Sequence, residues 1–402
     1  MKACLFALII HLCVVFPAFA GTVHLPAPLA KTLHPSDALL VTEGAQHVVF
    51  SQNAKALYVP ASTLKIATAL FALETLGESY RFPTGVTLSK ENILHIKGYG
   101  DPLLTSEVLD EYAKKVAKGL SAAGINTIDG IAVDDLYFDR VAIPGVVLNS
   151  HQPYDAPNGA LCANFNTVFY TRDNKGIPVS AEPQTPLLPF VARRIPQDVT
   201  KGRIRLEPTE SRLYAGHLFR WFLEKHGIKV AMNVCAMPFP KKKGPYEEQL
   251  LSPYTLPEII EKLMAFSNNF IANQLFLAAA AQVKGAPATL EKGRIAFCDV
   301  MTAHLEACPD VVEGSGISRK NKISAETMDV LLTDFAPYAH LLHTEGDTRF
   351  KTGTLSGVST RAGYVTTPTG TTYRFVIFTN RDNGNAGTIL RALQTALASL
   401  PK

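Results

Sequence analysis

The sequence predicts a mixed α/β protein of the α+β kind, with a strand-rich insertion. Three observations carry this expectation. Two short apolar runs, Ala38–Val41 and His47–Phe50, lead straight into a continuous apolar helix that starts near Ser62. After Tyr80 the texture changes to short alternating strands and turns, and a long apolar helical period returns at Leu256. The chain then closes with β-rich runs and a final helix from about Gly387 to Leu400. Its 402 residues, 47% hydrophobic and 18% charged, describe an ordinary globular chain with room for two or three domains.

The first two strands form a hairpin through Glu43-Gly44-Ala45, and the helix behind Ser62 stops near Gly77. Leu94–Gly98 reads as a strand. Gly98-Tyr99-Gly100-Asp101-Pro102-Leu103 is only superficially a nucleotide loop, because the third glycine is missing and Pro102 spoils the helix start. A helix fits Ser106–Ala123, a strand Gly130–Val133, and a helix Ser211–His226 ending at Gly227, with another strand over Ile228–Ala231. The proline-rich stretch Pro178–Pro208 has no strong period and reads as irregular strands and loops. Leu256–Ala281 is helical but carries the polar triplet Ser267-Asn268-Asn269 in its middle, which suggests a break that presents side chains to a cleft. Further helices fit Pro287 to Cys298 or beyond and Ala325–Phe335, around the tight loop Val311–Gly316. Phe350–Thr354, Arg361–Val365 and Tyr373–Thr379 read as strands.

Met1-Lys2, an apolar run from Ala3 to Phe16 and the small-x-small triplet Ala18-Phe19-Ala20 predict a cleavable export signal over residues 1–20. Cys13 follows Leu12, which is not a lipoprotein pattern, and no later run approaches the ~18 apolar residues of a membrane span. Leu390–Lys402 reads as a helix packed on the sheet and not as an amphipathic anchor. The expected product is periplasmic, with no stable membrane anchor. The formal charge of +4, or +3 once Lys2 is removed, is too mild for a nucleic-acid partner. Lys241-Lys242-Lys243 marks a solvated turn. Outside the signal, Cys298 and Cys308 lie ten residues apart and can bridge or stay free, while Cys162 and Cys235 read equally well as buried free thiols. No Cys/His spacing suggests a metal, and no cofactor is expected.

Three stretches carry chemistry. In Val59-Pro60-Ala61-Ser62-Thr63-Leu64-Lys65 the serine stands at a helix mouth, and the lysine three residues on shares its face. A hydroxyl becomes a nucleophile when a base takes its proton, and a desolvated, neutral lysine can be that base. Ser267-Asn268-Asn269 stands at the interhelical break, and Lys351-Thr352-Gly353-Thr354 lies on a strand whose glycine lets a backbone approach a ligand closely. None of the eleven histidines stands in a Gly-x-Ser-x-Gly context, so a serine–histidine triad has no support.

Taken together, and in this order, the three stretches are similar to those of the active-site serine penicillin-recognising enzymes. The chain resembles the D-alanyl-D-alanine carboxypeptidases of the penicillin-binding protein 4 type, peptidase family S13. Gly98–Pro102, the Gly124-Ile125…Gly130 passage and Glu313-Gly314-Ser315-Gly316-Ile317-Ser318-Arg319 carry that resemblance over nearly the whole chain. It implies a β-lactamase/transpeptidase-like domain over 21–80 and 250–402, an antiparallel sheet flanked by helices. Residues 81–249 are then an insertion of one domain, or of two with the second reduced. It also implies Ser62 as nucleophile, Lys65 as base, Ser267 as proton relay and Asn269 as a partner of Lys65 or substrate. Lys351, Thr352 and Thr354 would hold a terminal carboxylate, and Gly353 would leave room for the substrate. Implied partners are peptidoglycan stem peptides and, as covalent inhibitors, β-lactams. The rival readings are a β-lactamase and a non-catalytic muropeptide- or β-lactam-sensing protein. Two departures stand out: Asn268 where aspartate is common, and Asn273-Gln274 where a more acidic pair is usual.

Overall fold

The structure, a computed structural model, describes residues 25–44, 47–147, 150, 152–242 and 244–400. The expected export signal lies outside the described residues, as do Ala45 of the first turn and Lys243 of the lysine run.

Helix α1 (Ala27–Thr32) precedes the hairpin of β1 (Ala38–Glu43) and β2 (His47–Gln52). A 3-10 turn, Ala61–Thr63, delivers the chain into α2 (Leu64–Leu76). Every residue of α2 from Leu64 to Leu73 is buried, so this is a central helix without a solvent face. Gly77, at φ 83°, ends it.

The next stretch builds separate sheets. β3 (Pro83–Leu88), β4 (Ile93–Gly98), α3 (Ser106–Ala122), β5 (Thr127–Ile128) and β6 (Gly130–Asp134) come first. They are followed by β7 (Thr167–Arg172), β8 (Pro178–Ser180), α4 (Pro189–Ala192), β9 (Lys201–Arg205) and α5 (Pro208–Lys225). β10 (Lys229–Val230), β11 (Val234–Ala236) and β12 (Tyr246–Leu251) complete it. The main sheet has the order β11-β6-β4-β3-β12, and β8-β7-β9 form a smaller one. The apolar stripe of α3 (Val108, Leu109, Tyr112, Val116, Leu120) packs with α5 over a core of its own. α5 starts earlier than the spacing suggests because Glu207 and Glu210 form a capping box around Pro208.

α6 (Leu256–Phe266), α7 (Asn269–Lys284), α8 (Leu290–Met301) and α9 (Ala325–Phe335) follow. β13 (His343–Glu345), β14 (Thr348–Leu355), β15 (Val358–Thr366), β16 (Thr372–Thr379) and α10 (Ala386–Ala398) close the chain. α8 begins later than the expected Pro287 because the Thr289 side chain caps it, accepting the Lys292 N–H at 3.0 Å. The antiparallel sheet runs β13-β14-β15-β16-β1-β2, so the first hairpin docks on the last strand, Ala38 opposite Phe378. α2, α7, α8 and α9 contribute to the core on one face, α1 and α10 to that on the other. Phe71 meets Phe276 and Phe297 edge-on at 5.9 and 5.5 Å between these helices.

Three readings need correction or resolution. Cys298 and Cys308 are joined in a disulfide. Cys162 is buried as expected, but Cys235 is exposed, because β11 is an edge strand that turns only Val234 inward. Tyr154-Asp155-Ala156-Pro157 reads as a surface turn, with a place in a cleft beside Asn164 and Asn166 as the alternative for Asp155; the structure instead buries Asp155, whose carboxylate accepts the Val147 N–H at 3.3 Å.

Candidate active site

The turn before α2 is fixed from three sides. The Pro60 carbonyl accepts hydroxyls from Thr63 and from Thr360 of β15, both at 2.7 Å. The Asn380 side chain clamps Val59, its oxygen accepting the N–H at 2.7 Å and its amide donating to the carbonyl at 3.1 Å. Ala61, fully buried, sits at φ 48°, a left-handed conformation that is costly for an alanine and is held by these contacts. Ser62 is thereby aimed off the helix mouth towards β14. A Cβ on Gly353 of β14 would lie 2.8 Å from the Ser62 nitrogen, so glycine is required for that approach.

Lys65, one turn on, is fully buried. Its amine has three partners: Ser62 Oγ at 2.9 Å, Asn269 Oδ1 at 2.8 Å and the Ser315 carbonyl at 2.7 Å. Burial first, and then the nearby Lys351 ammonium, pull its pKa down to about 7, against an opposing pull from Glu313. A neutral amine has two N–H bonds and one lone pair. Asn269 Oδ1 and the Ser315 carbonyl can only accept, so they take both N–H groups and leave the lone pair for the Ser62 hydroxyl.

The second pair comes from the helix break and the sheet. Ser267 ends α6 at φ 50°, and Lys351 Nζ donates to its Oγ at 2.8 Å and to the Thr352 carbonyl at 3.0 Å. Burial pulls Lys351 down to about 8. Asn268 caps α7 by accepting the Ile271 N–H at 3.1 Å. Asparagine and aspartate serve equally well as caps there, so the departure leaves the start of α7 intact.

The Asn273-Gln274 departure has a comparable reason. Asn273 Oδ1 accepts the Gly314 N–H at 2.8 Å, and Gln274 Nε2 donates to the carbonyls of Gly100 at 3.2 Å and Gly159 at 3.0 Å. A carboxylate has no proton to donate to those two carbonyls. This amide ties α7 to the strand-rich segment.

The structure therefore brings Ser62, Lys65 and Asn269 into one hydrogen-bonded group and Ser267 and Lys351 into a second, with Gly353 against Ser62. Thr352 and Thr354 are exposed on the same strand, and Thr354 lines the cleft. That cleft, about 880 Å³, opens at Ser62 and runs between α7, the 316–317 loop and the segment around Asn164. Of Asp155, Asn164 and Asn166, for which a surface turn or a place in the cleft were the alternatives, Asn164 lines the cleft, whereas Asp155 and Asn166 are buried elsewhere.

Two features escaped the sequence. Phe165 adopts φ 58° between two asparagines and packs edge-on against Phe270 at 6.0 Å as part of the cleft wall. The second is the role of the Glu313–Ser318 loop: glycine content and the resemblance marked the loop, but not the Ser315 carbonyl that it supplies to Lys65.

A model of the D-Ala-D-Ala carboxypeptidase 3 (S13) family matches residues 36–188, 190–344 and 339–400. A D-alanyl-D-alanine carboxypeptidase from Actinomadura sp. (strain R39) is 26% identical over 442 aligned residues, 90% of this chain and 80% of that protein. Penicillin-binding protein 4 (dacB) from Haemophilus influenzae has a similar fold, with a TM-score of 0.75 at 20% identity over 92% of this chain and 99% of that one. A predatory peptidoglycan endopeptidase from Bdellovibrio bacteriovorus is similar at a TM-score of 0.52 and 15% identity, over 90% of each chain. With its family model spanning both the sheet that carries Lys351 and the helix mouth that carries Ser62, the chain belongs to the D-Ala-D-Ala carboxypeptidase 3 (S13) family.

Proposed function

We propose that this chain is a serine-type D-Ala-D-Ala carboxypeptidase that trims peptidoglycan stem peptides through an acyl-enzyme on Ser62. The observation that carries the reading is the Lys65 amine, buried and shifted to about 7, with its lone pair left to Ser62. Lys65 takes the hydroxyl proton as Ser62 Oγ attacks the carbonyl of the terminal bond. The Ser62 and Thr354 N–H groups stabilise the oxyanion; one such donor is worth about 3 kcal/mol. Ser267, bonded to Lys351, passes a proton to the departing D-alanine amine, and water then hydrolyses the ester. The Lys351 ammonium with the Thr352 and Thr354 hydroxyls holds the terminal carboxylate. Gly353 lets the substrate lie along β14 as an added strand.

In this reading 21–80 and 250–402 form the catalytic domain, 81–249 the insertion, and the protein works in the periplasm after loss of its leader. β-Lactams imitate the acylated dipeptide and acylate Ser62. In support, one solved structure of Haemophilus influenzae penicillin-binding protein 4 is complexed with a β-lactam, and a Bdellovibrio endopeptidase has been solved acylated by penicillin G.

The test is intact-protein mass after penicillin treatment, together with D-alanine release from purified muropeptides, for wild type and Ser62→Ala. A persistent adduct and D-alanine release, both lost in the variant, are expected. Rapid turnover of nitrocefin without an adduct points to a β-lactamase, and muropeptide binding without labelling points to a sensor. Cleavage of cross-linked dimers in the same digest reads endopeptidase activity.

A further inference from the structure

Glu313 is fully buried in a loop that follows α8, and its own side chain does not line the Ser62 cleft. Its carboxylate accepts five hydrogen bonds, all from neutral donors. One oxygen takes the Ser315 N–H at 2.7 Å and the Ser315 hydroxyl at 2.6 Å. The other takes the Gly316 N–H at 2.8 Å, the Ser318 N–H at 3.2 Å and the Asn321 amide at 2.6 Å. The backbone from 313 to 318 is thus wrapped around one anion, in the manner of successive N–H groups folded into a nest. The outer side of that wrap faces the nucleophile. The Ser315 carbonyl, turned away from Glu313, accepts from Lys65 Nζ at 2.7 Å. Gly316, at φ 83°, lies so close to the Ala61 carbonyl that a Cβ would collide with it. The Thr68 hydroxyl pins the same loop by donating to the Gly314 carbonyl at 2.6 Å.

We infer that Glu313 is a positioning residue for Lys65. Its carboxylate folds the loop so that the Ser315 carbonyl occupies one N–H of the amine, which leaves the lone pair on Ser62. Its charge also acts across the loop. The charged groups acting on Lys65 are Lys351 from β14 and Glu313 from the loop; the hydrogen-bonded neighbours Ser62, Asn269 and Ser315 are neutral. Lys351 lowers the Lys65 pKa and Glu313 raises it, so removing the carboxylate must move Lys65 further down.

This inference rests on the proposed role of Lys65, and its test separates the two. The rate of acylation by fluorescent penicillin is measured against pH for wild type, Glu313→Gln, Glu313→Asp and Thr68→Val, with thermal midpoints alongside. If wild type is not labelled, the proposed function fails. Lys65 itself, titrated by NMR at its ε-carbon, then still decides the inference: Glu313→Gln must lower its pKa. With labelling intact, Glu313→Gln is expected to slow acylation at neutral pH by about tenfold or more. Its acid limb should move to lower pH by about half a unit. Glu313→Asp keeps the charge, so acylation should slow while the acid limb stays. Thr68→Val unties the loop elsewhere and should leave the acid limb unmoved. A Glu313→Gln protein with the wild-type rate and limb overturns the inference. So does a loss of rate that tracks the thermal midpoint equally in all three variants. If Glu313→Gln does not fold, Glu313→Asp must slow acylation more than Thr68→Val at a matched loss of thermal midpoint; equal slowing overturns the inference.

Discussion

Lys351 Nζ donates to Ser267 Oγ at 2.8 Å, joining an amine of the central sheet to the hydroxyl at the break between α6 and α7. If Ser267 relays the proton to the departing amine, Ser267→Ala should lower D-alanine release by roughly 10²–10³-fold. Ser62 should still be labelled by penicillin, only more slowly. A variant that releases D-alanine at the wild-type rate removes Ser267 from the mechanism.

The two lysines set a pH profile. In the proposed mechanism Lys65, pulled to about 7, has to be neutral to take a proton, and Lys351, pulled to about 8, has to be charged to hold a carboxylate. Activity on a D-Ala-D-Ala-terminated peptide should therefore rise through about 7 and fall through about 8, a narrow bell whose limbs belong to the coupled pair. Lys351→Arg should carry the alkaline limb beyond the measurable range, because guanidinium keeps its proton. A kcat/KM profile that is flat across neutral pH contradicts the assignment.

Asp101 is buried, and burial pushes its carboxyl up from 3.8 to about 6, although Oδ1 accepts the Leu103 N–H at 2.9 Å. The fold prefers the protonated form, so this stability is full below pH 3.8 and is lost as pH rises to about 6. Asp101→Asn stays neutral and should stabilise the protein at pH ~7.5 by up to about 3 kcal/mol. The gain should vanish below pH ~4 in urea melts. An equal gain at both pH values points to packing and not to ionisation.

Gly353→Ala places a methyl group against Thr360 Oγ1 and 2.8 Å from both the Pro60 carbonyl and the Ser62 nitrogen. β14 must retreat from Ser62, so, if Ser62 is the nucleophile, acylation should fall by about 10²-fold or more. The thermal midpoint should also drop, because the Pro60–Thr360 bond is strained. Stopped-flow acylation beside calorimetry reads both.

Local periodicity made much of the fold legible. The i,i+3 spacing of Ser62 and Lys65, the all-apolar α2, and the polar break before Asn269 are short-range signals, and the structure follows them. What stayed hidden depends on chain folded from far away. Nothing in Tyr154-Asp155-Ala156-Pro157 distinguishes a surface turn from one covered by the backbone at Val147. Cys235 reads as a core residue until its strand is found at a sheet edge. The Ser315 carbonyl, like every backbone acceptor, leaves no mark in the residue pattern, and the Gln274 contacts span α7 and the loops at Gly100 and Gly159.

The docking of β1 between β2 and β16 has a bearing on biogenesis. Ser62 and Lys65 belong to the early part of the chain, but the sheet that presses Gly353 against them closes only when the last strands arrive. A chain whose last strands have not yet arrived thus lacks the strand that packs against Ser62, and the arrangement around Ser62 and Lys65 is assembled only when the whole chain has folded.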